Sequence, residues 1–201
     1  MKSEKINFLY SLFNDEGTVI STAILNHNGI YTRNITELVN NGILSRVRQG
    51  YYTLNQLNSD ISDIVLVSKL IPKGVLCLHS AIDYYDLSTI NPAKIYIALP
   101  RGTVAPSLPE YLKVNVRQMI EKYYNLGISS ADFDGTKVKI YDIEKTVCDC
   151  FKYDNEFEKA VALEVLKNYI SKKNCNIQKL LEYAKILGKR NTILPYVEAM
   201  L

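Results

Sequence analysis

Residues 32–54 read TRNITELVNNGILSRVRQGYYTL, and a change of hydrophobic period inside this stretch decides the fold of the amino-terminal part of the chain. Ile35, Leu38 and Val39 recur at helical spacing, and Asn41-Gly42 supplies a helix stop. From Ile43 the side chains alternate with the period of two of a strand, Leu44, Arg46 and Arg48 on one side and Ile43, Ser45 and Val47 on the other. Gly50 permits a tight turn, and Tyr51, Tyr52, Thr53 and Leu54 favour a return strand. The stretch therefore predicts a helix over 32–41 followed by a hairpin turning at Arg48-Gln49-Gly50. Tyr51 and Tyr52 straddle the return strand, so one of them must be buried, and both read as packing residues.

Upstream, Ile6, Leu9, Tyr10 and Phe13 give a helix over 5–13 its apolar stripe, and Asn14-Asp15-Glu16-Gly17 ends it with turn chemistry. Thr18-Val19-Ile20 is short and β-prone. Ser21 is a candidate N-cap for a short helix over 21–26 with Ile24 and Leu25 on its inner face, and Thr32 is a candidate N-cap for the next. Two short capped helices joined by a glycine-containing turn, then a hairpin, predict a winged helix-turn-helix over 1–57.

That shape implies a chemistry. The first turns of the third helix carry Tyr31, Thr32, Arg33, Asn34, Thr36 and Glu37, and this is the end that enters the major groove in helix-turn-helix proteins. Arg33 suits guanine N7 and O6, and Asn34 suits adenine or a phosphate. Thr32 and Thr36 suit phosphate or a thymine methyl. Arg46, Arg48 and Gln49 flank the hairpin turn, where an arginine lies in the minor groove or clamps phosphate. A merely solvated face is the competing reading, as is a winged helix that docks protein instead of DNA.

The totals narrow the classes. The chain has 201 residues, 47% hydrophobic and 22% charged, which excludes wholesale disorder. Its net charge of +3 gives no general affinity for polyanions, so any nucleic-acid binding must come from local clustering. Residues 1–57 hold five Lys/Arg against four Asp/Glu, yet 43–54 carry Arg46 and Arg48 with no acid. The four cysteines (Cys77, Cys148, Cys150, Cys175) show no CxxC pair and no zinc-finger spacing. The opening residues do not read as a secretory signal, and no window reaches the roughly 18 apolar residues of a membrane span. A cytoplasmic protein with reduced thiols, no metal, no cofactor and no membrane attachment is the expectation.

Residues 55–60 are polar and turn-rich and form the candidate linker. Beyond it a helix over 61–71 stops at Pro72-Lys73-Gly74, and a short buried segment at 75–78 leads into a helix over 79–86. Strands are expected at 94–99, 112–117 and 137–141, with a loop carrying Pro106 and Pro109 between the first two. Asp142 caps a helix IEKTVCDCF, with Glu144 in its first turn where the dipole favours an acid. Residues 156–200 read as helical, interrupted at Lys172-Lys173-Asn174 and at Gly188. The fold class is thus α+β: a winged helix, then a 60–201 domain with a small sheet of about three strands and a helical carboxy-terminal part.

Sharper chemistries are available there and weaken on inspection. His79-Ser80 with Asp83 or Asp86 lies too close in sequence for a triad, and no GxSxG elbow exists. Cys77, His79, Cys148 and Cys150 read as buried structural groups before they read as a metal site. Asp142, Glu144 and Asp149 crowd one helix start as a metal-assisted phosphoryl-transfer site would, but capping and surface charge account for at least two of them. Lys73-Gly74 and Arg101-Gly102 offer lone glycines and no phosphate loop. Lys167, Lys172, Lys173, Lys179, Lys185, Lys189 and Arg190 outnumber Glu164, Glu182 and Glu198, giving a basic carboxy-terminal face that reads first as a solubilising one.

Four segments together, GILSRVRQGYYTL, HSAIDYYDLS, KIYIALPRG and VKIYDIEKTVCDCF, resemble the AbiEi-type antitoxins over about Lys5 to Ile170. These are the antitoxin and transcriptional-regulator halves of bacterial abortive-infection (type IV) toxin–antitoxin systems. The resemblance implies that the winged helix binds inverted repeats upstream of its own operon and represses it, and one such module per chain suggests two copies on the DNA. It implies a carboxy-terminal domain that antagonises a nucleotidyltransferase-like toxin without requiring a stable complex. It places the DNA role on Arg33, Asn34, Arg46, Arg48 and Gln49. The antitoxin role falls on Tyr141, Asp142, Glu144, Lys145, Thr146 and Asp149, with Lys94 and Arg101 at the ends of the first strand. His79 reads as a tolerated variation at a helix start that usually carries a small residue. The alternative is an enzyme that uses Lys145 and Asp149 to modify nucleic acid or the toxin.

Overall fold

The computed structural model describes residues 3–57, 62–133 and 135–201. The chain is α+β and divides into two compact units. The first comprises Met1–Pro72 with Pro106–Leu112 and Phe133–Thr136; the second comprises Lys73–Ala105, Lys113–Asp132 and Lys137–Leu201. Of the expected linker, Asn55–Leu57 form a single 3-10 turn, while 58–60 lie outside the described residues together with Ile61, where the next helix was expected to start.

The first unit runs α1 (Ser3–Glu16), β1 (Ile20–Ser21), α2 (Thr22–His27), α3 (Thr32–Asn40), β2 (Leu44–Arg48), β3 (Tyr51–Leu54) and α4 (Asp63–Leu70). The apolar stripe of α1 places Leu9, Leu12 and Phe13 against Leu25 of α2, Ile35 and Leu38 of α3, and Leu44, Tyr52 and Leu54 of the hairpin. Each such side chain, fully buried, contributes about 1.5–3 kcal/mol of transfer free energy, so this cluster is what holds three short helices that would not persist alone. The strands form an antiparallel sheet in the order β1-β3-β2, with Ile20 opposite Tyr52 and Leu44 opposite Leu54.

Two local features differ from the sequence reading. Ser21 caps α2 through a bond from the Ile24 amide (3.3 Å), but the N-cap of α3 is Tyr31, which makes no side-chain cap bond. Thr32 is the first helical residue instead, and its carbonyl accepts the Thr36 hydroxyl at 3.0 Å. The simple alternation along β2 fails as well, because a bulge between Arg46 and Arg48 shifts the register and re-aims both arginines.

The second unit runs β4 (Val75–Leu76), α5 (Leu78–Tyr84), β5 (Ile95–Pro100), β6 (Val114–Met119), α6 (Glu121–Tyr124), β7 (Ile128–Phe133), β8 (Thr136–Tyr141), α7 (Ile143–Lys152), α8 (Lys159–Ile170), α9 (Ile177–Ile186) and α10 (Arg190–Met200). Its sheet has five strands, not three, in the order β6-β5-β4-β8-β7. The two-residue β4 is the link: it pairs antiparallel with β5 and parallel with β8. Strand β5 in turn pairs in parallel with β6 along its whole length. Buried side chains of β4, β5, α5 and α7 merge with those of α8, α9 and α10 into one core that contains Tyr141, Val147, Val165, Tyr169 and Leu180. Among the described residues no helix is long and apolar enough to cross a membrane.

Candidate functional site

Helix α3 presents a polar arc. At about 100° per residue, Ile35 and Leu38 point into the core, which leaves Thr32, Arg33, Thr36, Glu37 and Asn40 on the solvent side. Arg33 is the cation of this arc and Glu37 brings one acid to its edge. Asn34 lies elsewhere: it is half-buried and lines a recess with Lys5, Phe8 and Leu38, turned away from the exposed arc. The hairpin follows directly, since the Ile43 amide donates to the Leu38 carbonyl at 2.9 Å. Tyr31 precedes the arc and is 63% exposed.

The arginines of the hairpin have separate fates. Arg46 is exposed, with its guanidinium 5.8 Å from the centroid of the Tyr52 ring. Arg48 is half-buried, stacks 4.4 Å over Tyr51, and donates to the Ser107 carbonyl at 2.8 Å. Its Nε is buried with no hydrogen-bond partner among the described residues. Arg48 is thus held against its own unit, and only Arg46 and the exposed Gln49 project freely from the hairpin. Tyr52 is the buried tyrosine of the pair and Tyr51 is half-exposed. The turn is anchored too, because Gly50, at φ +81°, offers its carbonyl to the amide and hydroxyl of Thr22.

In the second unit, six of the expected antitoxin residues gather at the start of α7. Asp142 caps the helix: its Oδ1 accepts the Lys145 amide at 2.9 Å, and its carbonyl accepts the Thr146 hydroxyl at 2.8 Å. Its Oδ2 takes the Tyr183 hydroxyl at 3.1 Å and faces Lys179 Nζ at 3.0 Å. Glu144 accepts Lys179 Nζ at 2.8 Å on one oxygen and the Tyr169 hydroxyl at 3.0 Å on the other. Burial works to lower the Lys179 ammonium, but the carboxylates of Glu144 and Asp142 outweigh it and hold the group above its ordinary value. Tyr141 is fully buried; its hydroxyl donates to the Tyr124 carbonyl at 2.9 Å, and burial pushes it far up.

Lys145 and Asp149, one helical turn apart, form an ion pair at 2.5–2.6 Å with no exposed surface on either residue. Burial raises the Asp149 carboxyl, and the Lys145 ammonium pulls it back without cancelling the rise. The ammonium also lies 4.4 Å over the Tyr141 ring. Such a pair can lock the register of α7 against the core; it has no surface from which to meet a substrate.

The other candidates are not brought to this cluster. Lys94 and Arg101 are both exposed at opposite ends of the six-residue β5, about 20 Å apart. Arg101 lines an open recess with Lys73, Glu121 and Tyr124. His79 packs its ring between Tyr96 (4.8 Å) and Phe157 (4.4 Å), and burial lowers its pKa against the opposing Glu156 backbone. Cys77, Cys148 and Cys150 are buried thiols pushed up by burial, with the charge of Asp149 next in effect. Lys179 was expected on a solvated basic face and is instead the shared cation of Asp142 and Glu144. With Tyr169 and Tyr183 it belongs to the cluster, and no sequence pattern links it to residues 35 positions earlier.

No protein-family model matches the chain, and no curated protein matches it. Among solved structures it is similar to the RV2827C protein from Mycobacterium tuberculosis, with a TM-score of 0.60 and 14% sequence identity, covering 94% of this chain and 75% of that one. At that identity the likeness is one of fold.

Proposed function

We propose that this chain is a DNA-binding antitoxin: a winged helix-turn-helix represses its own toxin–antitoxin operon, and the second unit antagonises a nucleotidyltransferase-like toxin. The observation that carries the DNA half is the exposed arc Thr32, Arg33 and Thr36 on α3, followed immediately by a hairpin that exposes Arg46 on its first strand and Gln49 at its turn. Three helices, a three-stranded antiparallel sheet and a cationic hairpin are the parts with which winged helices meet a major groove and its phosphates. Arg33 is the base-reading candidate, Thr32, Thr36 and Gln49 are positioning contacts, and Arg46 is the phosphate clamp. Arg48 and Asn34 support the module from within.

The antitoxin half rests on the resemblance of the segments around KIYIALPRG and VKIYDIEKTVCDCF to the AbiEi-type antitoxins. The complete burial of Lys145 and Asp149 favours a non-enzymatic domain, in which the α7 network shapes a surface that the toxin or its substrate meets. Localisation in the cytoplasm and two copies on an inverted repeat follow from the same reading.

The test is fluorescence anisotropy with the duplex upstream of the gene against a scrambled duplex, paired with growth rescue from the neighbouring toxin. Preference for the upstream duplex, lost in Arg33→Ala, together with rescue by the second unit's surface, is the expected result. Equal affinity for both duplexes would remove the repressor role.

A further inference from the structure

A cavity of 120 Å³ opens between α1 and α3, lined by Lys5, Phe8, Leu9, Ile30, Asn34 and Leu38. The recess is open to solvent beside the proposed recognition helix, so its lining is accessible to a ligand. Its floor is apolar, with Leu9 at 0% and Leu38 at 1% exposure. Its mouth is marked by Phe8, 47% exposed, and by the exposed Lys5. Asn34 contributes an amide from the flank of α3 that adjoins the polar arc of Arg33 and Thr36.

Apolar cavities of about 150 Å³ admit a benzene ring, and this one is open on one side, so a ligand need not fit wholly inside. We propose that the cavity binds a small carboxylate whose apolar body is a single ring or a branched chain of similar size. The body lies between Leu9 and Leu38, and the carboxylate meets the Lys5 ammonium and the Asn34 amide at the mouth. An apolar floor with one cation and one amide at its rim selects for this chemistry: a neutral ring forgoes the ion pair, and a bare carboxylate forgoes the apolar contact. Occupancy presses on the inner side of α3 and so alters the pose of Arg33 and Thr36, a consequence that rests on the DNA-binding reading.

The probe is benzoate, titrated into the full chain while the methyl resonances of Leu9, Ile30 and Leu38 are followed by NMR. Benzyl alcohol carries the ring without the charge, and acetate the charge without the ring. The expected result is saturable shifts confined to those methyls with benzoate, weaker binding of benzyl alcohol at the same methyls, and none with acetate. Lys5→Gln, at an exposed position, keeps the fold and weakens benzoate by about fivefold, the scale of a partly exposed ion pair. Asn34→Leu narrows the mouth and abolishes the shifts. Shifts absent or scattered over the surface overturn the site; equal affinity of Lys5→Gln for benzoate overturns its assignment to carboxylates. Affinity for the upstream duplex is measured with and without benzoate. A chain that binds no duplex under either condition sinks the DNA reading alone, and the methyl shifts still decide the cavity.

Discussion

The carbonyl of Gly50, at the tip of the β2–β3 hairpin, accepts two hydrogen bonds from Thr22, one from its amide at 2.8 Å and one from its hydroxyl at 3.2 Å. The first residue of α2 therefore holds the turn of the hairpin in place. Thr22→Val keeps the side-chain shape and the amide bond while removing the hydroxyl. It should lower stability by about 0.5–1.5 kcal/mol in denaturant unfolding, the usual net value of one such bond. In the DNA-binding account it also weakens duplex affinity, because a loosened tip positions Arg46 and Gln49 less well. Lower stability with unchanged affinity would detach the hairpin from the interface.

The Lys145–Asp149 pair separates a structural role from a chemical one. Removing one partner strands the other charge in the core, so Lys145→Met or Asp149→Leu alone should cost about 3–5 kcal/mol. The double substitution removes both charges and should recover most of that stability, along with toxin antagonism. If the double variant is stable yet fails to rescue growth, the pair acts chemically and the non-enzymatic assignment is wrong.

Alkaline pH tests the tyrosine-rich core. Burial pushes Tyr85 up to about 12, with Asp142 the next contributor, and raises Tyr141, Tyr153 and Tyr169 further. The unfolded chain ionises its tyrosines near pH 10, before the folded chain does, so stability must fall as pH rises through the interval between the two values. Lys179, lowered by burial but raised more strongly by Glu144 and Asp142, adds stability below about pH 10.4 that is lost progressively as pH rises above that value. Tyrosinate absorbance should therefore appear in two phases, the second coinciding with loss of helix signal. A single phase near pH 10 with the fold intact would contradict the burial of these rings.

Two glycines distinguish close approach from backbone conformation. Gly127 has φ +72°, and a Cβ there would lie 2.9 Å from both Asp142 Oδ1 and Lys145 Cβ. Gly102 has φ +85°, and a Cβ there would meet nothing within 4 Å. Gly102→Ala should cost about 1 kcal/mol from the left-handed backbone alone. Gly127→Ala adds the clash and should cost about 1–3 kcal/mol more. Thermal melts of the two variants rank them, and equal losses would show that the Asp142 cap tolerates displacement.

How much of this was legible in the sequence depended on locality. Helices with strong stripes and turn stops, such as 5–13 and 32–41, were readable because their buried faces recur every turn, and the Asp142 and Ser21 caps because their partners are three residues away. Strand β7, ISSADF, was not, since small polar residues hide its alternation, and β4 was too short to show a period at all. At the candidate sites the side chains were nameable but not their environments. Nothing local to Arg48 announces the Ser107 carbonyl, 59 residues on, and nothing local to Glu144 announces Lys179. Such pairings are set by tertiary packing, which pattern reading does not reach.

The salt dependence of binding to the upstream duplex tests the central claim most directly. Each phosphate contact contributes a slope of about −0.9 in log K against log salt. Arg46→Ala should flatten the wild-type slope by about one unit with the melting temperature unchanged, Arg33→Ala should reduce the preference for the upstream duplex over a scrambled one, and Arg48→Ala should act mainly on stability. Absence of duplex binding at any ionic strength, or a slope indifferent to Arg46, would contradict the account.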